Sequence, residues 1–507
     1  MMHQVTTLYT THENPALRAA KGRLWLRVVE ARHLAVRDPD RVRPYCVVEF
    51  EKSEFVTKEA VLLPPAPDVP AHLIHPVWRH EAMFDIARPD GEIIITIWDR
   101  TATSDGEAFL GMMRIRPPQV HGKLNDNWFR LLPRYPQEYI HGDIRIQFMY
   151  QEDQCAPLSA ADFDLLKVVG KGSFGKVLQV RKKDTGRIYA MKILNKKDII
   201  ARQEVAHTLS ERNVLVQANS PFLVGLKFSF QTADKLYLVL DYMNGGELFY
   251  HLQNEQVFSE HRAKFYTAEL VLALEHLHRH GIVYRDLKPE NVLLDSTGHV
   301  ALTDFGLCKE NLYDATTNTF CGTAEYLAPE VLQGTGYGRA VDWWSLGILL
   351  YEMTAGIPPF YSDNTNLMYN KILFEEIQFP PGFSPEAQSL IRALLERDPR
   401  GRLGSGSDDA DAIKAHPFFA DIDWHQLRKK QIRPPFKPHV ESETDTSNFD
   451  PAFTSSLPID SLPSNSTPLS ETMQDHFKGF TYNGEAGSTL QSASSSFNPG
   501  YGSLMEE

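Results

Sequence analysis

Tyr284-Arg285-Asp286-Leu287-Lys288-Pro289-Glu290-Asn291, followed a few residues later by Asp304-Phe305-Gly306, is the stretch on which the reading of this chain turns. It presents a carboxylate, an ammonium group, a carboxamide and a second carboxylate in close order: Asp286, Lys288, Asn291 and Asp304. Phosphoryl transfer asks a protein for those groups, because it needs a carboxylate near the attacking hydroxyl, a cation against phosphate charge and oxygen ligands for magnesium.

Upstream, Gly170-Lys171-Gly172-Ser173-Phe174-Gly175-Lys176-Val177 has glycines spaced so that backbone amides can approach phosphates closely. Alone, such a turn is more often a plain hairpin or a dinucleotide loop. Here a strand follows rather than a helix, which disfavours the dinucleotide fold. That strand, Ile188 to Leu194, alternates so that Ala190 and Lys192 share a face. A lysine in an apolar strand needs a partner, and Glu211 lies in the helical stretch from Glu204 to Leu215. Downstream, Arg262 to His278 has amphipathic spacing and is closed by Gly281, which gives a helix leading into the opening stretch.

With these motifs the chain resembles the eukaryotic protein kinases, whose loops read H/Y-R-D-x-K-x-x-N and D-F-G. The resemblance implies a bilobal α+β kinase fold that uses ATP and Mg²⁺. In family terms Asp286 orients the substrate hydroxyl and accepts its proton, Lys288 neutralises the γ-phosphate, and Asn291 and Asp304 hold magnesium. Glu211 fixes Lys192 against the phosphates, and Thr323 completes the catalytic set. The nucleotide is expected at Val169, Gly170, Lys171, Gly172, Ser173, Phe174, Gly175, Lys176, Val177, Ala190 and Lys192, with backbone groups of Asp241 and Met243 holding the adenine edge. Glu330 resembles the glutamate paired with a buried arginine, here Arg402, and Asp342 the aspartate that anchors the catalytic-loop backbone.

Finer features resemble the AGC group of serine/threonine kinases. His207, Arg285 and Lys309 match the residues that clamp an activation-loop phosphothreonine, here Thr319, where added phosphate charge would order the loop. Glu247, Glu290 and Glu352 match positions that bind arginines before the acceptor through bidentate charge-assisted bonds. Phe477-Lys478-Gly479-Phe480-Thr481-Tyr482 matches a hydrophobic motif with acceptor Thr481, and Thr467-Pro468 resembles a turn-motif site. Phe477 and Phe480 are expected to dock beside the Glu211 helix, with Pro434 to Pro438 and Ser447 to Asp450 wrapping the small lobe. The resemblance is to the protein kinase B, serum-and-glucocorticoid-regulated and ribosomal S6 kinase group, especially its fungal members preceded by a C2 domain. It implies basic protein substrates in nutrient, stress and growth signalling, and upstream kinases of the phosphoinositide-dependent and TOR-complex kinds. A protein kinase C-like lipid-responsive enzyme is the alternative, weakened because four cysteines without a C-x-x-C pair cannot build its zinc module. A non-catalytic kinase-fold scaffold would need a broken catalytic residue.

Residues 22–150 read as short alternating strands, including Leu24 to Val29, Tyr45 to Phe50, Ile93 to Trp98 and Ile144 to Phe148, hence an all-β sandwich. Pro44-Tyr45, His75-Pro76-Val77-Trp78 and Trp98-Asp99 resemble C2-domain motifs. Arg43 stands where a calcium-binding aspartate belongs, and Asp99-Arg100-Thr101 replaces an acidic pair, so calcium is not expected as a ligand although Asp38, Asp40 and Asp105 are near. Docking to membrane or protein without calcium is expected instead. The organisation read from the sequence is an extension over 1–21, the C2-like sandwich over 22–150, a linker over 151–162, a kinase domain over 163–419 and a tail over 420–507.

With 507 residues, 42% of them hydrophobic, the chain is long enough for several cores. Its net charge of -13 argues against nucleic-acid binding. Cys46, Cys155, Cys308 and Cys321 fit a reducing compartment, and no signal-like segment is read at the start, so a cytoplasmic protein with a peripheral route to membranes is expected. Cys308 and Cys321 bracket the activation loop and are expected to be free thiols.

Overall fold

The computed structural model describes residues 22–482 except 65–69, 71, 88–90, 104–105, 119, 135–137, 153–157, 173–174, 218, 311–316, 318–320 and 461–468. The N-terminal unit consists of β1 (Gly22–Arg32), β2 (Leu34–Ala35), β3 (Pro44–Phe50), β4 (Ser53–Val56), β5 (Val61–Leu63), β6 (Leu73–Ile86), β7 (Ile93–Thr103), β8 (Gly106–Ile115), β9 (Leu124–Arg130) and β10 (Asp143–Glu152). One sheet runs β2-β6-β1-β10-β9 with β5 on β6, and the other runs β4-β3-β7-β8. Alternation decides which face is buried. Leu24, Leu26 and Val28 of β1 point into the sandwich, while Trp25 and Arg27 point out. A bulge between Val28 and Glu30 shifts the phase, so that Ala31 is the next residue buried. β10 ends at Glu152, two residues into the stretch expected as linker.

The small lobe of the second unit is β11 (Phe163–Gly172), β12 (Gly175–Lys182), β13 (Ile188–Asn195), α1 (Lys196–Ala201), α2 (Val205–Gln217), β14 (Leu226–Gln231) and β15 (Lys235–Asp241), with sheet order β11-β12-β13-β15-β14. The large lobe is mainly helical. It contains β16 (Gly246–Glu247), α3 (Leu248–Glu255), α4 (Glu260–Arg279), β17 (Val292–Leu294), β18 (Val300–Leu302), α5 (Pro329–Gln333), α6 (Ala340–Ala355), α7 (Thr365–Phe374) and α8 (Pro385–Leu394). Ser259 caps α4 by accepting from Arg262 N, and His276, His278 and Arg279 in its last turn complement the negative end of the helix. α6 is buried nearly all round, from Val341 to Met353, which marks it as the central helix of the lobe. No described helix is long and apolar enough to cross a membrane.

The sandwich packs against the small lobe through charged groups. Asp85 of β6 pairs with Lys182 of β12 at 2.8 Å and accepts hydrogen bonds from Tyr189 Oη at 2.8 Å and Thr185 Oγ1 at 3.0 Å. Arg187 donates to Glu54 O at 2.9 Å, and Arg23 pairs with Asp184 at 2.9 Å.

The segment from about residue 434 returns over the small lobe. Tyr242 stacks on Phe449 with centroids 5.8 Å apart, and Asn448 donates to Asn244 O and His439 O. Gly246 is required beneath this crossing, because its φ is +74° and a β-carbon there would strike Asn448 O. Further on, Asp460 accepts from Lys235 and Tyr237, and Phe477, Phe480 and Tyr482 are buried in the kinase core. Ser229 of β14 exchanges two 2.8 Å backbone hydrogen bonds with Tyr482, Ser229 Oγ donates to Phe480 O, and Gln231 donates to Phe477 O. Lys196 lies over the Phe477 ring at 5.1 Å, and Arg212 of α2 over the Tyr482 ring at 5.9 Å. Thr481 is exposed between the two buried aromatics that flank it.

Candidate active site

The cleft between the lobes collects its charged groups from separate elements. β13 presents Lys192, whose Nζ donates to Glu211 Oε1 at 2.6 Å and Asp304 Oδ1 at 3.2 Å. Burial opposes the charge on Lys192, but Asp304 and Glu211 outweigh it and raise its pKa. Lys192 in turn is the main cause that holds the Asp304 carboxyl below its ordinary value. Asp304 keeps a half-exposed side chain at the cleft.

The catalytic loop forms a second knot. Asn291 Nδ2 donates to Asp286 O and Oδ2, both at 2.8 Å. Lys288 Nζ lies 3.2 Å from Asp286 Oδ2 and donates to Thr323 Oγ1 at 2.9 Å, while Thr323 donates to Asp286 Oδ1 at 3.3 Å. Burial lifts the Asp286 pKa, and Lys288 and Asn291 work against that lift. Two non-glycine residues here are left-handed, Arg285 at φ 70° and Asp304 at φ 55°. Such strain persists only where the surroundings over-determine it. Asp342, fully buried in α6, supplies part of the constraint by accepting from Tyr284 N, Arg285 N and His278 Nε2 at 2.9, 2.8 and 2.8 Å. Glu330 and Arg402 form a buried bidentate pair at 2.7 and 2.9 Å.

The glycine-rich hairpin gives its glycines different tasks. A β-carbon on Gly172 would meet nothing, which leaves room for a ligand, whereas one on Gly175 would strike Ile193 O of the neighbouring strand. Gly170, Lys171, Lys176 and Val177 lie on β11 and β12, Val169 is buried beneath them, and Ala190 flanks Lys192 on β13. Lys171 and Lys176 reach the returning segment, donating to Ser456 Oγ at 2.9 Å and to Ile459 O. Asp241 ends β15, and the buried Met243 follows. The donor set fits Mg-ATP. Two carboxylates and a carboxamide face a lysine held cationic, beside a hairpin with open backbone.

Glu247, Glu290 and Glu352 share one electrostatic environment. Burial raises Glu247 to about 7, with repulsion from Glu290 and Asp450 added. It raises Glu352 to about 8, with Glu290 and Glu325 adding to it. Glu290 is raised as well, and its buried Oε2 accepts no hydrogen bond from the described residues. Glu325 and Tyr326, whose hydroxyl donates to Glu352, belong to this cluster although the sequence reading did not include them. Their only sequence signal is an acid followed by an aromatic just after Thr323.

His207, Arg285 and Lys309 are engaged separately. His207 Nδ1 pairs with Glu204, Arg285 donates to Leu307 O and Tyr337 Oη, and Lys309 exchanges backbone bonds with Val283. Ser173, Phe174, Thr319 and Thr467 lie outside the described residues. Cys308 and Cys321 are free thiols. In the sandwich, Asp99 Oδ1 caps backbone by accepting from Arg43 N and Thr101 N, both at 2.9 Å, and Asp38 caps Asp40 N. Asp105 lies outside the described residues.

Three family models match: a protein kinase domain over residues 163–419, a protein kinase C terminal domain over 440–482 and a C2 domain over 22–131. The chain is 52% identical over 446 residues to the serine/threonine-protein kinase gad8 of Schizosaccharomyces pombe, across 87% of this chain and 75% of that protein. To SCH9 of Saccharomyces cerevisiae it is 52% identical over 420 residues, across 80% of this chain and 50% of that one. To YPK1 of the same yeast it is 55% identical over 352 residues, across 69% and 51% respectively.

Proposed function

From the finding that the chain belongs to the AGC group of serine/threonine protein kinases, with an N-terminal C2 domain, we propose that it phosphorylates serine or threonine beside basic residues and is switched on by its own phosphorylation. The observation that carries the catalytic part is the knot of Asp286, Lys288, Asn291 and Thr323. Asp286 receives the hydroxyl proton of the substrate as its oxygen attacks, and Lys288, Asn291 and Thr323 orient that carboxylate. Lys192, held by Glu211, steadies the phosphates against the open glycine hairpin. Magnesium at Asp304 and Asn291 would supply charge neutralisation for the transferring group.

Basic specificity is supported by the acidic cluster. Glu290 repels both Glu247 and Glu352 when ionised, so a guanidinium that enters among them gains both Coulomb energy and bidentate hydrogen bonds. Activation is read from Thr319 and Thr481. A phosphate on Thr319 would draw His207, Arg285 and Lys309 together, and Thr481 stands exposed where a kinase can reach it. An activity-directed upstream pair of the phosphoinositide-dependent and TOR-complex kinds fits those sites, and Thr319→Ala should lower turnover at least tenfold. The C2 domain is assigned to calcium-independent docking on membrane or protein, since Asp99 is already occupied with backbone.

A degenerate peptide-array assay with Asp286→Asn as control tests the reading. Arginine selection before the acceptor that vanishes in the variant is expected. Equal signal from the variant, or indifference to arginine, overturns it.

A further inference from the structure

The tip of the β3–β4 hairpin is built in a way that the hairpin itself does not require. A two-residue turn joins Phe50 to Ser53, and both of its residues are left-handed, Glu51 at φ 47° and Lys52 at φ 64°. Such turns favour Asn-Gly, because a β-carbon is strained in that region. Glutamate and lysine occupy it here; the Lys52 side chain leaves the C2 domain, while Glu51 Oε2 accepts from Ala87 N at 3.1 Å within it and also faces Lys227 of the small lobe.

Lys52 Nζ donates to Ser220 O at 2.9 Å and to Leu223 O, and it stands 3.7 Å from Asp241 Oδ2. Lys227 of β14 donates to Glu51 O, lies 3.3 Å from Glu51 Oε2 and lies 3.4 Å from Asp241 Oδ1. The side chain of Asp241 is 2% exposed and also accepts from Gly225 N at 2.8 Å. The last residue of the hinge strand is therefore held between two ammonium groups, one from each domain. A cavity of about 140 Å³ opens among Glu51, Lys52, Lys227 and Asp241. Charged contacts rather than close apolar packing thus join hairpin to hinge at this point. The same hairpin touches the large lobe, where the Glu54 carboxylate accepts from Ser296 Oγ at 2.8 and 2.9 Å.

We propose that Lys52, with Glu51, is a positioning residue for the nucleotide site, so that docking of the C2 domain on the back of the hinge raises the affinity of the kinase domain for ATP. The inference rests on the reading that backbone groups of Asp241 and Met243 hold the adenine edge. Removing one of two cations from a buried carboxylate leaves that carboxylate short of partners, and the strand end that bears it must shift or admit water. A small displacement is enough to weaken a hydrogen bond to a ligand. Because coupling between sites is reciprocal, bound ATP in turn tightens the seat of the C2 domain.

The test uses the full chain. Glu51→Asn combined with Lys52→Gly gives the turn its preferred residues, so the hairpin persists, with the bond from Lys227 to the residue-51 carbonyl kept, while both of its charged side-chain contacts to the kinase domain are lost. Lys52→Arg keeps the charge. For the double variant, KM and Kd for ATP should rise by about three- to tenfold, the loss fitting a supporting charge-assisted contact, with kcat and the KM for a basic peptide within about twofold of wild type. Lys52→Arg should stay within about twofold throughout. Unchanged ATP affinity in the double variant overturns the inference, and so does a general fall in kcat accompanied by a changed peptide KM. A wild-type chain that neither binds ATP nor phosphorylates peptides would overturn the kinase reading itself.

Discussion

Asp85 of the C2 domain and Lys182 of the small lobe form an ion pair 2.8 Å long with side chains only 5% and 4% exposed. A pair this dry ties the two domains together by penalty as much as by attraction, because separating them strands a charge wherever water does not enter. Lys182 is additionally held by Asp184 at 2.6 Å, so its ammonium stays charged against the pull of burial.

Asp85→Ala removes that pair together with the acceptor for Tyr189 and Thr185. Asp184 still serves Lys182, so the expected loss is about 2 to 4 kcal/mol rather than the full cost of an unpaired buried charge. Urea unfolding followed by tryptophan fluorescence should show a lower midpoint; an unmoved midpoint would mean that the domains are held by other contacts.

Asp286→Asn should reduce kcat by about 100-fold or more and leave the KM for ATP within about threefold. The new carboxamide oxygen can still accept from Asn291, so the loop keeps its shape and loses only the base. Steady-state assays at saturating ATP measure the split, and a parallel loss of ATP affinity would assign Asp286 to binding instead.

The acidic cluster predicts a pH dependence of substrate recognition. Glu247 and Glu352, raised to about 7 and 8, are largely protonated at pH 6 and ionised at pH 8.5. The KM for an arginine-containing peptide should therefore fall as pH rises across that range. Glu352→Gln should flatten the upper part of the curve, whereas a peptide KM constant from pH 6 to 8.5 would contradict the assignment.

His278 predicts a pH dependence of stability with its own direction. Burial alone would discharge it, but its hydrogen bonds to Asp342 and Asp409 prevail and hold its pKa at about 9, above the ordinary 6.5. A group raised on folding stabilises fully below its unfolded pKa, and the gain disappears as pH climbs through the folded value. Stability on the order of 3 kcal/mol should thus be lost between pH 6.5 and about 9. Thermal melting across this window should slope downward in wild type and flatten in His278→Gln.

Phe480→Ala should empty a fully buried site and cost about 3 to 4 kcal/mol of tail docking. Limited proteolysis should then cut the tail near residue 480 faster than in wild type, and kcat should fall because loosening Phe480 also frees its neighbour Tyr482 from Arg212 of α2, the helix that carries Glu211.

Much of the site was legible because its chemistry is local in sequence. Asp286, Lys288 and Asn291 lie within six positions, and the alternation in β13 already aims Lys192 inward. The sandwich strands were legible for the same reason, since a period of two is written into β1, β7 and β10. What could not be read is long-range. Nothing adjacent to Asp85 or Lys52 announces a partner in another domain, because ion pairs across an interface leave no periodicity. His207, Arg285 and Lys309 show the opposite limit: their residue types are legible but their contacts are not, since His207 pairs with Glu204 and Arg285 donates to Tyr337.

The bridge between Ser229 and Tyr482 has a consequence beyond holding the tail. β14 is the outermost strand of its sheet, with backbone amides and carbonyls that another chain could recruit by strand addition. Tyr482 occupies that rim with its own backbone, and Phe480 covers the apolar surface beside it. Shortening the protein before residue 480 should therefore produce a sticky molecule as well as a slow one. Self-association in sedimentation and loss of turnover would then have a common origin in the stretch from Phe480 to Tyr482.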